Sequence, residues 1–268
     1  MSFAANKVDA WPITKLLNDV HSGNSWLWRS TLALSAGLFI CAALMLIDQR
    51  LFNGVSVWDK PAKFFLSLAV QFATVSWALS LLPAQQRISR GVKFAVTAMS
   101  IAAWFEMAYM VFRASRGEAS HFNATSIFAQ VMYAMMGLGA LTLTSTAFFI
   151  GFLVWNHRKQ GLITEAAGLG LMIGMVLATV AGGYMSAQTS HWVGGELSDA
   201  HGIGLFTWST TGGDLRVAHF VGMHVAQVLP LAALSGDRRV VYEVAFTSIL
   251  LTGIIFFMAV SGIPLLRA

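Results

Sequence analysis

The chain is dominated by seven apolar runs that are separated by short polar or glycine-rich segments. The runs cover residues 26–47, 61–82, 92–112, 126–155, 166–187, 213–230 and 240–263. A helix needs about 20 residues to cross the roughly 30 Å hydrocarbon core of a bilayer, and each run is close to that length or longer. The pattern predicts an all-α fold, a polytopic membrane helix bundle with about seven transmembrane helices. We expect residues 26–268 to form a single bundle domain and residues 1–25 to form a polar N-terminal arm.

Composition supports a membrane protein rather than a soluble one. Of the 268 residues, 56% are hydrophobic and 11% are charged, whereas soluble domains carry about 25% charged residues. The formal net charge is +5, but the basic residues lie in short clusters between the runs, as topology signals do. We therefore expect the lipid bilayer as a partner and no nucleic acid. The single Cys41 lies inside an apolar run, which excludes an intramolecular disulfide framework and a cysteine-based zinc cluster.

The basic clusters also predict the orientation of the chain. Seven spans put the N-terminal arm and the turns at Arg87, Arg158 and Arg238 on one side of the membrane. These turns contain few acids, so the positive-inside rule predicts a cytoplasmic N-terminus and an outside C-terminus. Four basic residues on the proposed outer side reduce this bias: Lys60, Lys63, Arg113 and Arg116.

The sixth run, GDLRVAHFVGMHVAQVLP at residues 213–230, carries ionisable and amide side chains. At 100° per residue, Arg216, His219 and Gln227 fall on one helical face, with His224 at its edge. Ionisable groups inside a span are costly and often mark a functional site. We therefore expect this face to line a pocket, and a purely structural hydrogen-bonding role for the histidines is the alternative.

Two other spans carry polar residues at a matching depth. On the second span, polar side chains recur at helical spacing from the proposed outer surface inward: Lys60, Lys63 and Gln71. A helical rise of about 1.5 Å per residue puts His219 roughly 8 Å and Glu106 roughly 10 Å below that surface. These positions predict an outward-facing polar pocket built by spans two, three and six. We expect Tyr109 near its mouth and His121 folded over it from a loop.

Imidazole and carboxylate side chains in this pocket suit Zn, Fe, Cu or Mn. The candidate ligands of a transition metal are Glu106, His219 and His224, and those of a b-type haem are His219, His224 and His121. The rings of His219 and His224 are about 140° apart on an ideal helix, so both can bind one ion only if the helix is distorted. A proton relay is another alternative for the histidines. For Glu106 the alternative is an ion pair with a basic side chain: Lys63, Arg113 or Arg216.

Basic side chains give the same pocket a second interpretation. Four basic side chains can together attract a small anion or a lipid headgroup, as in a permease or a ligand-binding sensor: Lys60, Lys63, Arg116 and Arg216. Snorkelling towards water is the alternative for the two lysines. A structural or assembly role, with a homo-oligomer as one partner, is a third hypothesis. If the protein is an enzyme, we expect it to depend on a metal or haem, with a possible redox role.

The fifth loop adds a run with metal-capable side chains: His191, Glu196, Asp199 and His201. Glycines surround this run, which favours a flexible loop. A solvated lid is therefore the competing interpretation, because loops of this kind often cover binding sites.

Three sequence segments resemble those of a family of uncharacterised bacterial multi-spanning inner-membrane proteins. They are NGVSVWDKPAKF at residues 53–64, SRGEASHFN at 115–123, and the sixth-span stretch at 213–230. The resemblance implies a helical bundle in the bacterial inner (plasma) membrane, and it brings no reaction, cofactor or catalytic residue. Seven-span zinc hydrolases of the ceramidase type are a distant alternative. His219 and His224 do not match the HxxxH motif of those hydrolases, and the Ser-xxx-His pair of their early span is missing.

Overall fold

The computed structural model describes residues 13–267, so the first part of the predicted N-terminal arm, residues 1–12, lies outside the described residues. The structure is 75% helical and contains almost no sheet. Within the described residues, seven helices are long and apolar enough to cross a membrane. The predicted all-α membrane bundle is therefore confirmed.

Ten α-helices and four very short strands make up the regular structure of residues 13–267. The helices are, in chain order, α1 (Ile13–Gly23), α2 (Ser25–Ile47), α3 (Asp59–Ser80), α4 (Ala84–Arg87), α5 (Arg90–Ser115), α6 (Ile127–Asn156), α7 (Leu162–Ala187), α8 (Leu215–Met223), α9 (Val225–Ala232) and α10 (Arg238–Val260). The strands form two antiparallel pairs, β1 (Leu51–Phe52) with β2 (Val55–Ser56) and β3 (Trp192–Val193) with β4 (Gly213–Asp214). The spans are α2, α3, α5, α6, α7, the pair α8 and α9, and α10.

Polar side chains mark the starts of several spans. The Asn24 side chain accepts hydrogen bonds from the backbone N–H groups of Trp26 and Leu27 at 3.1 and 3.0 Å, which caps α2. Ser126 caps α6 in the same way, through the backbone N–H of Ala129. Such caps satisfy donors that have no partner inside the helix. The apolar runs are thus divided into helices by local chemistry that the sequence contains.

Helices α3 and α7 are central in the bundle. Helix α3 packs against α1, α2, α5, α6 and α7, while α7 packs against α6, α8, α9 and α10 as well. The fully buried Phe72 and Leu79 on α3 belong to the larger part of the core, and Leu229 belongs to a second cluster with residues of α7 and α10. The peripheral α2 and α10 expose large apolar side chains, for example Leu46 at 81% and Phe257 at 71%. These outer faces suit contact with lipid.

The sixth span is interrupted in its middle. Helix α8 ends at Met223 and α9 begins at Val225, with His224 between them. Pro230 lies inside α9 and has no backbone N–H to donate. Gly174 of α7 permits close approach at the interruption, because a Cβ there would lie 3.0 Å from the carbonyl oxygen of Met223. The span is therefore not the continuous helix from 213 to 230 that the sequence predicts.

The two ends of the bundle differ in the length of their connections. The loops 48–58, 116–126 and 188–214 lie at one end, which we call the long-loop end. Two of these loops are joined, because the backbone N–H of Asp199 donates to the carbonyl oxygen of Asn53 at 2.9 Å. Gly54 lies against Ala200 at the same junction. The long-loop end thus has an ordered cover of loops over the helices.

Candidate ligand-binding site

A cavity of about 980 Å³ lies beneath the loops of the long-loop end, between α3, α5, α6, α7 and α8. The three spans that the sequence assigns to a pocket all contribute to it. Most of the candidate residues line it: Lys60, Lys63, Gln71, Glu106, His121, Arg216 and His219. The structure therefore brings together side chains that are up to 159 positions apart in sequence, from Lys60 to His219.

The deeper part of the cavity is mostly apolar. Its walls there include Phe64, Leu68, Met110, Met136 and Met223. Most of the charged side chains lie nearer the loops, but Gln71, Glu106 and His219 line the deeper part. Apolar walls with a few polar groups are typical of small-molecule sites.

Arg216 is held by acidic side chains at the start of α8. Its Nη2 lies 2.6 Å from Oδ2 of Asp214 and 2.9 Å from Oδ1 of Asp199. The same nitrogen donates to the carbonyl oxygen of Thr207 at 2.8 Å. Asp214 also caps α8 by accepting from the Arg216 backbone N–H. The guanidinium is therefore neutralised by the protein itself.

Lys63 is paired in a similar way. Its ammonium lies 2.5 Å from Oδ2 of Asp59, one helical turn earlier on α3. It also donates to the Thr207 hydroxyl at 2.8 Å. Lys63 therefore does not snorkel towards water, because its ammonium is bound by Asp59 and Thr207.

Lys60 is different from these two cations. In the part of the chain that the structure describes, its ammonium makes no hydrogen bond and no ion pair within 4.0 Å, although the side chain lines the cavity. An ammonium has three donors, and removing them from water without acceptors is costly. Lys60 is thus a cation in the cavity wall whose hydrogen-bonding capacity is unused.

Glu106 lies deeper, on α5. It is 4% exposed, and its Oε1 has no hydrogen-bond partner among the described residues. Gly139 of α6 makes room for this oxygen, because a Cβ there would be 2.7 Å from it. The basic side chains considered as its partners are bound to other acids: Lys63 to Asp59, Arg113 to Glu118, and Arg216 to Asp214. The Gln71 amide, on the same cavity, donates to the Met175 sulfur at 3.6 Å.

His121 covers the cavity from the loop after α5, among aromatic rings. Its ring centroid lies 5.5 Å from that of Phe64 and 6.2 Å from that of Tyr133. The Ser120 hydroxyl is 3.0 Å from its Nδ1. Burial lowers the pKa of His121 well below 6.5, and the charge of Lys60 lowers it further. The imidazole is therefore neutral at neutral pH.

His219 and His224 both make structural hydrogen bonds. The Nδ1 of His219 donates to the carbonyl oxygen of Ala178 at 2.9 Å. The Nδ1 of His224 donates to the Gln227 side chain at 3.0 Å, and that amide donates onwards to Thr74 at 2.9 Å. Each ring then keeps its Nε2 as the nitrogen that can bind a metal or a haem iron. The structural alternative raised from the sequence therefore applies to both histidines.

Three candidate residues lie away from the cavity lining. His224 and Gln227 point towards α3, where they form the bonds just described. Tyr109 is buried between the Phe128 ring, at 6.5 Å, and the Arg113 guanidinium, at 5.9 Å. The sequence placed these residues by helical angle, but the interruption after Met223 and the packing of α6 change where they point.

The fifth-loop run divides into two parts. His191 and Asp199 line the cavity, with Nε2 of His191 3.8 Å from Oδ1 of Asp199. Burial lowers the pKa of His191, and Asp199 partly opposes that shift. Glu196 and His201 are exposed. The four side chains are close in sequence, but they do not form one site.

Sequence reasoning missed several residues that shape the cavity. Tyr133 on α6 and Ser186 on α7 join their side-chain oxygens at 3.1 Å at its edge. Phe206 and Trp208 from the fifth loop also line it, stacked with centroids 5.0 Å apart. Tyr133, Gly137 and Ala140 recur at helical spacing, so the sequence could have indicated that this face of α6 lines the cavity. Nothing in the sequence indicates that the two loop aromatics do.

Two further observations bear on the identity of the site. Within residues 13–267, no group of three or more His, Cys, Asp or Glu side chains is placed to hold one metal ion. Metal and haem binding stay predictions from the sequence. No family model matches the chain, and neither does any curated protein or solved structure.

Proposed function

We propose that this multi-pass membrane protein binds an amphiphilic anion, as a sensor or permease would. A carboxylate or phosphate head lies against Lys60, and the apolar body of the ligand occupies the deeper cavity. The observation that carries the proposal is the unpaired ammonium of Lys60 in the wall of a mostly apolar cavity. An anionic head supplies the acceptors that this ammonium lacks.

The other cations of the cavity support an assignment to Lys60 in particular. Asp214 and Asp199 neutralise Arg216, and Asp59 neutralises Lys63. Their attraction for a further anion is correspondingly reduced. The volume of about 980 Å³ is near the upper end of the roughly 300–1,000 Å³ found for small-molecule sites. This size suits a ligand with a long or bulky apolar part.

The cellular setting is part of the same proposal. The basic turns at Arg87, Arg158 and Arg238 support a cytoplasmic N-terminus and an outside C-terminus. The three sequence segments that resemble a family of bacterial inner-membrane proteins, residues 53–64, 115–123 and 213–230, support a location in the bacterial inner membrane. In this orientation the long-loop end, and with it Lys60, faces outwards. Reporter fusions to the C-terminus test the orientation, because alkaline phosphatase is active there only if the C-terminus is outside.

Binding of a brominated long-chain carboxylate tests the function. Trp192 and Trp208 line the cavity, so bromine in the ligand should quench tryptophan fluorescence of the purified protein. The Lys60→Gln variant loses a charged hydrogen bond worth about 1.5–3 kcal/mol. We therefore expect it to bind the carboxylate about ten- to one-hundred-fold more weakly.

Two comparisons make this test specific. The alcohol with the same brominated chain should bind wild type and Lys60→Gln equally, because it has no charge to lose. Lys93→Gln removes an exposed lysine in the first turn of α5, at the end of the bundle opposite the long-loop end. It should leave carboxylate binding unchanged. Equal affinity of wild type for the carboxylate and the alcohol would contradict the proposal.

A further inference from the structure

Helices α6 and α7 meet along one face of each helix. Residues of the two helices oppose one another in antiparallel register, as the Tyr133–Ser186 bond shows at one end. Near the other end, Gly151 opposes Gly168. A Cβ on Gly168 would lie 2.5 Å from the backbone nitrogen of Trp155, and one on Gly151 would lie 3.1 Å from the carbonyl oxygen of Gly168. Here the two backbones are in direct contact.

The same register is open in the half nearer the loops. A Cβ added to Gly137 of α6 or to Gly183 of α7 would meet nothing within 4 Å. Both glycines nevertheless line the cavity, together with Ala140 and Thr179 on the same two faces. The seam is therefore open at these two glycines, and the cavity extends between the helices there.

The opening lies at a depth where the surface is apolar. Gly183 is four residues before the end of α7, which is about 6 Å along the helix. Leu138 and Val180, next to the opening, are 66% and 59% exposed. Leu141 is 52% exposed and also lines the cavity, so the cavity wall continues into the outer surface there. The Tyr133–Ser186 bond closes the seam on the loop side of the opening.

We infer that the gap between α6 and α7 at Gly137 and Gly183 is a lateral portal, through which a lipid anion enters the cavity from the bilayer. The inference rests on the proposed function and narrows its ligand class to molecules dissolved in the membrane. Because the Tyr133–Ser186 bond closes the seam towards the loops, head and chain both pass through the gap beneath it. The head then moves within the cavity towards Lys60. Glycine at both positions leaves open space for at least 4 Å around each Cβ position, and a larger side chain at either would narrow the gap.

The test measures the rate at which the protein in vesicles binds its ligand. The probe is the brominated long-chain carboxylate, first dissolved in protein-free vesicles and then mixed with the proteoliposomes. The Gly137→Phe and Gly183→Phe variants should bind it at least about tenfold more slowly than wild type. Gly183→Leu, a smaller change, serves if a phenylalanine variant fails to fold.

The control is Gly253→Phe on α10, where a Cβ likewise meets nothing within 4 Å. It should bind at the wild-type rate. A short-chain brominated carboxylate added to the water reaches Lys60 from the loops, so its rate should be the same in all variants. Wild-type rates for the long-chain probe in both portal variants would overturn the portal. If wild type binds neither carboxylate, the proposed function itself fails.

Discussion

Replacement of Asp214 by asparagine should destabilise the protein by about 2–3 kcal/mol. Asp214 is 3% exposed, and its carboxylate accepts hydrogen bonds from the Arg216 guanidinium at 2.6–3.1 Å and from the Ser209 backbone N–H at 3.0 Å. Removal of one partner of a buried ion pair costs about 3–5 kcal/mol, because the other charge is left without compensation. Arg216 keeps Asp199 at 2.9 Å, and its side chain is 26% exposed, so we expect a smaller loss. The helix cap contributes little to the change, because asparagine caps about as well as aspartate.

Unfolding of the detergent-solubilised protein by a denaturing detergent, followed by tryptophan fluorescence, measures this loss. The matched control is Glu243→Gln. Glu243 pairs with Arg239 at 3.9 Å on the exposed surface of α10, where such a pair contributes about 0.5 kcal/mol or less. In a double variant with Arg216→Met, the cost of Asp214→Asn should largely disappear, since no charge is then stranded. If Asp214→Asn alone lowers the free energy of unfolding by less than about 1 kcal/mol, this account of the ion pairs between Arg216, Asp214 and Asp199 is refuted.

Three other predictions follow from the same region. Burial lowers the pKa of His121 from 6.5, so the unfolded chain binds a proton at this residue more readily than the folded protein does. The melting temperature should therefore fall as the pH decreases below about 6.5. The fall in melting temperature should be smaller in His121→Gln. Gly139→Ala puts a Cβ 2.7 Å from Oε1 of Glu106, so it should raise the free energy of unfolding by less than the roughly 0.5–1 kcal/mol that alanine gains over glycine inside a helix, and the full gain should appear in a Glu106→Ala background. Asp199→Asn removes negative charge near Lys60 while Arg216 keeps Asp214, so carboxylate binding measured by tryptophan quenching should tighten several-fold at low salt; weaker binding would count against the proposed role of Lys60.

Much of the fold could be predicted from the sequence because a bilayer requires long apolar helices. The polar turns gave the number of spans and their ends to within a few residues. The interruption at His224 could not be predicted in this way. It depends on α7, where Gly174 allows close contact with the backbone of Met223. The helix α1 was also missed, since it is short and lies against α3, where the Ser76 hydroxyl donates to the carbonyl oxygen of Val20 at 2.6 Å.

The cavity was only partly predictable for a related reason. Helical angle and depth are properties of one helix, and they correctly brought Glu106 and His219 to one cavity. The choice of hydrogen-bond partners depends on neighbouring helices and loops. For this reason Arg216, which the sequence analysis assigned to ligand binding, proves to be neutralised by Asp214 beside it and by Asp199 from the fifth loop. Packing against Phe128 likewise takes Tyr109 away from the cavity.

Two features of the cavity are unfavourable for folding, and the proposed ligand would compensate both. The ammonium of Lys60 has no acceptor among the described residues, although methionine would fill a similar volume without a charge to desolvate. The seam at Gly137 and Gly183 leaves open space, although larger apolar residues there would add packing and reduce the backbone freedom of the unfolded chain. The first feature lies in the polar part of the cavity and the second in its side wall. A lipid anion whose head contacts Lys60 and whose chain occupies the cavity as far as the gap would compensate both, whereas a small water-soluble anion would compensate only the first.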